Sequence, residues 1–205
     1  YLRVDLSSGR VREEKIPEEL ARLYLGGKGF GAYFLFRELR RGVDPLGPEN
    51  KLVIMTGPLT GTQAPAACKF AVCTKSPLTG GWLDTLASGS WGPELKFAGY
   101  DGIIVEGRSE EPVYILIEDG SVRILSAEDI WGMGTFWAIS TLKERHATDR
   151  IPRVLTIGPA GERRALIANI IAEDRACGRG GAGAVMGSKN LKAIVVLGHG
   201  SVSLA

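Results

Sequence analysis

Apolar and polar residues alternate from Tyr1 to Leu6 and again from Val11 to Ile16, with the turn SSGR (Ser7–Arg10) between them. A period of two marks half-buried strands, so the chain is expected to open with a hairpin. The pattern changes at Pro17. PEELARLYL has proline in its first turn, early acids, and Leu20, Leu23 and Tyr24 on one face, which predicts a helix. GGKGFG (Gly26–Gly31) interrupts it, and AYFLFRELRR follows as a second helix stopped by Gly42. Beyond this point short apolar runs dominate. Lys51–Thr56, Phe70–Thr74, Gly102–Glu106, Val113–Ile117, Val122–Leu125, Val154–Ile157 and Ala193–Leu197 read as strands. Phe136–Arg145 reads as a helix, and Leu166–Glu173 fits either state. Strands outnumber helices, and hairpin signals outweigh strand–helix–strand alternation. The expected class is α+β, with antiparallel or mixed sheets and not a doubly wound sheet.

The pattern also repeats. VIMTGPLTG (Val53–Gly61) resembles VLTIGPAG (Val154–Gly161): a buried strand, then Gly-Pro, then Gly. GPELKFAGYDGIIVEG (Gly92–Gly107) lies on GAVMGSKNLKAIVVLG (Gly183–Gly198) without a gap. A small-residue loop precedes each, LASGSWG in one case and ACGRGGAG in the other. Repeated units often pack about a pseudo-twofold axis, which would bring the two loops face to face around a large or two-part ligand.

Composition narrows the function. The 205 residues include 28 glycines, about double the usual share of roughly 7%. They are clustered, which suits tight turns or backbone brought close to something. The net charge of +2 gives no broad electrostatic case for nucleic acid. Cys68, Cys73 and Cys177 form no CxxC, so neither disulfides nor a zinc site are expected, and the setting reads as reducing and cytoplasmic. No apolar run approaches membrane-spanning length. The sequence begins at Tyr1, without Met, and is expected to be a piece of a longer protein.

Two familiar phosphate motifs fail. GKGFG follows a helix where a dinucleotide fingerprint would follow a strand, and GSKN lacks the order of a phosphate loop. RACGRGG (Arg175–Gly181) retains anion-binding character all the same. Arg175 and Arg179 flank residues that leave the backbone open, a setting in which N–H nests and forked guanidinium bonds can hold phosphate. A tight turn with two solvated arginines would read the same way. Cys68 and Cys73 read as small core residues, whereas Cys177 could approach a ligand. The four tryptophans read as packing, and His146 and His199 are isolated. No nucleophile has an attendant base. The residues alone describe a domain that holds a phosphorylated ligand on backbone loops.

Taken together and in order, YLGGKGFGAY, GPLTGTQAP, TKSPLTGG, GPELKFAGYDGIIVEG, IGPAGE and RACGRGGAGAVMGSKNLKAIVV are more specific. Over essentially all of residues 1–205 the chain resembles the N-terminal domain of the aldehyde ferredoxin oxidoreductase family. The resemblance implies two β-sheets that form the base for a tungsten (or molybdenum) bis-pyranopterin. It also implies a [4Fe-4S] cluster whose ligands, with most of the substrate pocket, lie in C-terminal helical domains outside this chain. Family members are much longer, oxidise aldehydes to acids, pass electrons to ferredoxin, and are often homo-oligomers. Neither nucleic acid nor membrane is implied.

Carried over residue by residue, Arg175, Ala176, Gly178 and Arg179 would wrap one pterin and its phosphate, and Leu86, Ser88 and Gly89 the other. The carbonyls of Leu86 and Ala176 would hold a Mg²⁺ bridging the pterin phosphates, as oxygen ligands suit a hard cation. Leu86 stands where some members have Asn. A side chain at Gly178 or Gly180 would be expected to collide with the pterin. Lys69 stands where members often have Arg, between pterin and cluster, and would act there as a point charge in place of a planar fork. Two alternatives stay open: a family member acting on another substrate, such as a carboxylate or an aromatic thioester, and a non-catalytic module that keeps the fold and a phosphorylated ligand.

Overall fold

In the computed structural model, residues 1–203 are described. The first half of the chain runs β1 (Leu2–Asp5), β2 (Arg10–Glu13), α1 (Glu18–Tyr24), α2 (Lys28–Glu38), β3 (Leu52–Thr56), β4 (Phe70–Lys75), β5 (Trp82–Ala87), α3 (Trp91–Phe97) and β6 (Gly102–Glu106). The second runs β7 (Val113–Glu118), β8 (Ser121–Ser126), α4 (Thr135–His146), β9 (Arg153–Thr156), α5 (Pro159–Glu162), β10 (Ile170–Ala172), β11 (Arg175–Cys177), α6 (Ala182–Ser188) and β12 (Leu191–Leu197).

Each half builds one six-stranded mixed sheet. The orders are β2-β1-β6-β3-β4-β5 and, read from its other end, β8-β7-β12-β9-β10-β11. Replacing β1–β6 by β7–β12 converts one order into the other. The pairing senses match as well. Only β1–β6 and β7–β12 are parallel, and every other neighbouring pair is antiparallel. The internal echo is therefore a duplication of the whole unit, and the expected α+β class holds.

Of the apolar runs read as strands, β3, β4, β6, β7, β9 and β12 are buried on both faces, whereas β8, at a sheet edge, is partly exposed. Along β3, Leu52 and Ile54 enter the large core between the sheets, where they join Ile103, Ile115, Leu155 and Ile194. Val53 and Met55 turn to the outer face and pack on Phe30, Phe34 and Leu35 of α2. In the second sheet Val154 and Val195 pack outward on Leu142 of α4. The layers are helix, sheet, sheet, helix, with α3 and α6 closing the central core through Trp91, Leu95 and Met186.

Helix α6 reads AGAVMGS and is buried throughout because it crosses other backbone. A Cβ on Gly187 would stand 1.9 Å from the Gly161 carbonyl oxygen. The halves are also cross-tied by polar groups. Trp91 Nε1 donates to Ile194 O at 3.1 Å, and Gly198 N to buried Glu94 Oε1 at 3.0 Å. Lys189 Nζ, fully buried, donates to Asn50 O at 2.5 Å and Gly107 O at 2.9 Å, with Pro48 O at 3.4 Å. A buried donor set is costly unless partnered, and here the opposite half supplies the acceptors.

Some boundaries differ from expectation. Gly29 and Gly31 lie inside α2, which starts at Lys28. The ambiguous Leu166–Glu173 stretch supplies only the short strand β10. Cys68 lies outside β4 and is half-buried, whereas Cys73 is fully buried in it. No described helix is long and apolar enough to cross a membrane.

Candidate functional site

Strands β5 and β11 are the edge strands of their sheets and lie beside each other where the sheets meet. Edge strands leave backbone N–H and C=O groups unpaired within the sheet. Between them opens a cleft of about 470 Å³ lined by Asp84, Thr85, Leu86, Ala176, Gly178 and Arg179. Four of the residues singled out from sequence, Leu86, Ala176, Gly178 and Arg179, meet there from the two halves. Gly89 and Arg175 flank it: a Cβ on Gly89 would stand 3.4 Å from Arg175 Cγ, so the two loops touch across the boundary. Ser88 is half-buried beside Gly89. Lys69 does not line the cleft. It is exposed and immediately precedes Phe70, which pairs with Ala87, so it sits at the end of β5.

Local sequence explains the walls. WLDTLA alternates, sending Leu83 and Ala87 into the core and leaving Trp82, Asp84 and Leu86 outward. The stretch after SPLTGG is thus a strand as far as Ala87, where the resemblance implied a loop. On β11 Arg175 and Ala176 are exposed and Cys177 is buried. Cys177 therefore does not approach a ligand. Burial pushes the Cys177 and Cys73 thiols up to about 12, which keeps both in the unreactive form.

The glycine loop behind β11 is held by protein on one side and open on the other. Ser76 Oγ donates to Gly180 O at 2.7 Å, tying the loop to the first half. Gly180 has φ +68°, and a Cβ there would stand 2.2 Å from Leu83 Cδ1. Its glycine is required by the first sheet, which corrects the expectation that it faces the ligand. Gly178 differs. Its nearest neighbour would be the Asn169 amide at 3.8 Å, so open space lies over it. With its nitrogen turned inward, that amide donates to Gly178 O at 3.2 Å and Ile167 O at 3.1 Å, fixing the loop from below.

The charges are lopsided. The β11 wall carries Arg175 and Arg179. Arg175 has one loose contact, Nη2 to Asp174 Oδ2 at 3.6 Å, and Arg179 forms no ion pair among the described residues. The β5 wall carries Asp84, which accepts from Trp82 Nε1 at 3.0 Å and faces Lys28 Nζ at 3.5 Å. Sequence reasoning missed Asp84. Its position two residues before Leu86 on an alternating strand was the signal that could have found it. Among the described residues no group of three His, Cys, Asp or Glu side chains could hold a metal. Asp84 is the one carboxylate among the described residues that line the cleft, so a cation here would draw most of its ligands from backbone oxygen and from the bound ligand.

Comparison with known proteins gives the lineage. Residues 1–198 match the family model described as "Aldehyde ferredoxin oxidoreductase, N-terminal domain". The chain is 51% identical over 205 residues to the tungsten-containing aldehyde ferredoxin oxidoreductase of Pyrococcus horikoshii, covering 100% of this chain and 34% of that protein. It is 41% identical over 214 residues to the aliphatic sulfonate oxidoreductase, WOR-like subunit, of Pyrococcus furiosus, covering 97% of this chain and 34% of that protein. Among solved structures, a chain of the active-site complex BamBC of benzoyl coenzyme A reductase with 1,5-dienoyl-CoA superposes with a TM-score of 0.97. That chain is 39% identical, with 100% of this chain and 31% of that one covered. The present sequence thus spans about a third of the length of these relatives. The repeated sheets, the glycine-rich cleft and these matches together place the chain in the aldehyde ferredoxin oxidoreductase family, with residues 1–198 corresponding to its N-terminal domain.

Proposed function

We propose that this chain is the cofactor-binding part of a tungsten (or molybdenum) bis-pyranopterin oxidoreductase. In the full-length protein it would serve the oxidation of aldehydes to carboxylic acids, with electrons leaving through a [4Fe-4S] cluster to ferredoxin. The observation that carries the reading is the cleft itself: segments from duplicated halves meet at two sheet edges and offer one wall each to a ligand with two similar parts.

The residues suit such a group. Arg179 is uncommitted, Arg175 nearly so, and forked guanidinium bonds are strong toward phosphate. Open space over Gly178 lets a flat ring lie close to backbone. On this reading Arg175 and Arg179 hold one phosphate, and Ser88 and the Gly89 backbone hold the other. The carbonyls of Leu86 and Ala176 would hold a Mg²⁺, which would offset the charge of the phosphates. When bound, the metal–dithiolene centre supplies the two-electron chemistry, while the domain supplies placement and charge compensation. The catalytic pocket and cluster ligands are assigned to later domains of the same chain.

A second reading keeps the site and changes the substrate. The likeness to the benzoyl coenzyme A reductase chain, at a TM-score of 0.97, favours reduction of an aromatic thioester. The walls described here are common to both. Metal analysis of the full-length protein, purified without oxygen, tests the shared core. About one tungsten or molybdenum and four irons per chain are expected from the family's cofactor set. Folded protein with neither heavy metal nor iron would instead support a non-catalytic module.

Lys69 is assigned an electrostatic role near the cluster. A positive charge favours the reduced form of a cluster, and so raises its potential. Lys69→Ala should lower the midpoint in an EPR-monitored titration while pterin content stays normal, and Lys69→Arg should restore it. An unmoved midpoint in Lys69→Ala would remove the assignment.

A further inference from the structure

The outer face of α2 presents an aromatic and cationic surface that the cofactor site does not use. Phe36 is 91% exposed, although the same helix buries Phe30 and Phe34. Its ring stands between two grooves. One, of about 410 Å³, runs over Leu39 and Trp82 with Arg40 and Arg41 at its rim. The other, of about 340 Å³, runs over Tyr24, Tyr33 and Arg37. No residue that lines either groove carries a carboxylate.

The charges are equally exposed. Arg37 lies over the Tyr33 ring at 5.6 Å, and none of Arg37, Arg40 and Arg41 forms an ion pair among the described residues. Glu38, the acid among them, is committed elsewhere. It accepts from Arg3 Nη1 and Nη2 at 2.8 Å each and faces Lys51 Nζ at 3.1 Å. Arg37 sits in the last turn of α2, where the helix dipole favours a cation, but Arg40 and Arg41 lie beyond the helix.

The duplicated fold supplies a control. Helix α4 occupies the corresponding place on the second sheet and is also basic in its last turn. There Lys143 pairs with Glu173, Arg145 with Asp129, and His146 Nε2 meets Tyr114 Oη at 2.9 Å. The same architecture neutralises its cations in one half and leaves them free in the other. Interfaces are enriched in aromatic residues and arginine, and a protruding phenyl ring flanked by grooves is a typical anchor.

We propose that this face of α2 docks an acidic protein segment carrying an aromatic or aliphatic anchor, with carboxylates on Arg37, Arg40 and Arg41 and the anchor against Phe36. Three free cations around an apolar ridge call for an anionic partner that also buries apolar surface. A flat anionic membrane would leave the grooves on either side of Phe36 unfilled. The inference is independent of the cofactor assignment.

Fluorescence anisotropy of a labelled glutamate–tyrosine random copolymer with the full-length protein tests it. Binding should weaken as salt is raised. Affinity should fall by about tenfold or more in Arg40→Glu/Arg41→Glu and comparably in Phe36→Ala, with polyglutamate alone binding more weakly. All these positions are exposed, so an unchanged melting temperature will confirm that the variants fold. Absence of binding, as when later domains cover α2, would overturn the proposal. So would affinity indifferent to both variants, or equal dependence on Arg40, Arg41 and Phe36 in binding to phosphatidylserine vesicles.

Discussion

Gly178→Val should leave the full-length protein folded and stable but strip it of the tungsten (or molybdenum) of the proposed cofactor, whereas Gly180→Val should damage the fold itself. The two glycines are separated by one residue and differ in what surrounds them. Gly178 has φ outside the left-handed region, and a Cβ there meets nothing nearer than the Asn169 amide at 3.8 Å. Valine fits, and an exposed substitution of this kind changes stability by about 0.5 kcal/mol or less. Its methyl groups enter the cleft, however, in the space assigned to a pterin ring. An overpacked contact costs about 1–3 kcal/mol, and each 1.4 kcal/mol is about tenfold in affinity, so cofactor affinity should drop about fivefold to a hundredfold, and metal content should fall with it.

Gly180 is held at φ +68°, and Leu83 Cδ1 lies only 2.2 Å from the point a Cβ would occupy. Left-handed backbone costs a β-branched residue about 1–2 kcal/mol, and the clash with Leu83 adds about 1–3 kcal/mol. A clear fall in melting temperature is therefore expected for Gly180→Val alone. Melting curves and metal analysis on the same preparations separate the cases. Full tungsten content in Gly178→Val would remove the cleft from the cofactor assignment. Equal instability in both variants would show that the loop is structural along its whole length.

The contrast between these glycines also shows what could be read in advance. The central strands were legible because runs such as LVIMT and AIVVL are apolar on both faces, which only a doubly covered strand requires. The duplication was legible in part, through the gap-free echo of Gly92–Gly107 in Gly183–Gly198, since α3–β6 and α6–β12 keep one length. The cleft was not legible as a place. It exists because β5 and β11 are edge strands that adjoin, which is a property of strand order and not of local pattern. Strand β5 was hidden by the glycines around it, and β11, with three residues, is too short to show a period. The resemblance supplied Leu86, Ala176, Gly178 and Arg179, but Asp84 and the Ser76–Gly180 tie depend on this chain's own packing. The resemblance assigns Gly180 to the ligand, and the sequence cannot correct it because Leu83, the side chain that excludes a Cβ there, is remote along the chain.

Glu162→Ala should be among the most destabilising single changes outside the apolar core, by about 3–5 kcal/mol, because it strands a buried cation. Lys192 is the second residue of β12, with its side chain fully enclosed, and its ammonium pairs with Glu162, whose side chain is 5% exposed. Lys192 Nζ also donates to Met133 O at 2.8 Å, and the Glu162 carboxylate accepts from Gly132 N at 3.0 and 2.9 Å. Without the carboxylate, both the ammonium and the Gly132 N–H lose a partner. Lys192→Met together with Glu162→Leu removes both charges at similar volume and should recover much of the loss, since a buried pair is worth little more than good apolar packing. The pH response identifies the cause. Burial already draws the Lys192 ammonium below its ordinary range, with Glu162 opposing the shift. Removing Glu162 lowers it further, so above the folded value the unfolded chain holds a proton that the folded chain has shed. Stability of Glu162→Ala should then rise with pH toward the ordinary lysine range, more steeply than in the parent. Urea unfolding across that range measures the slope. A parallel pair of curves would mean that Lys192 stays charged without its partner, and that the loss comes from the Gly132 bond and the emptied volume instead.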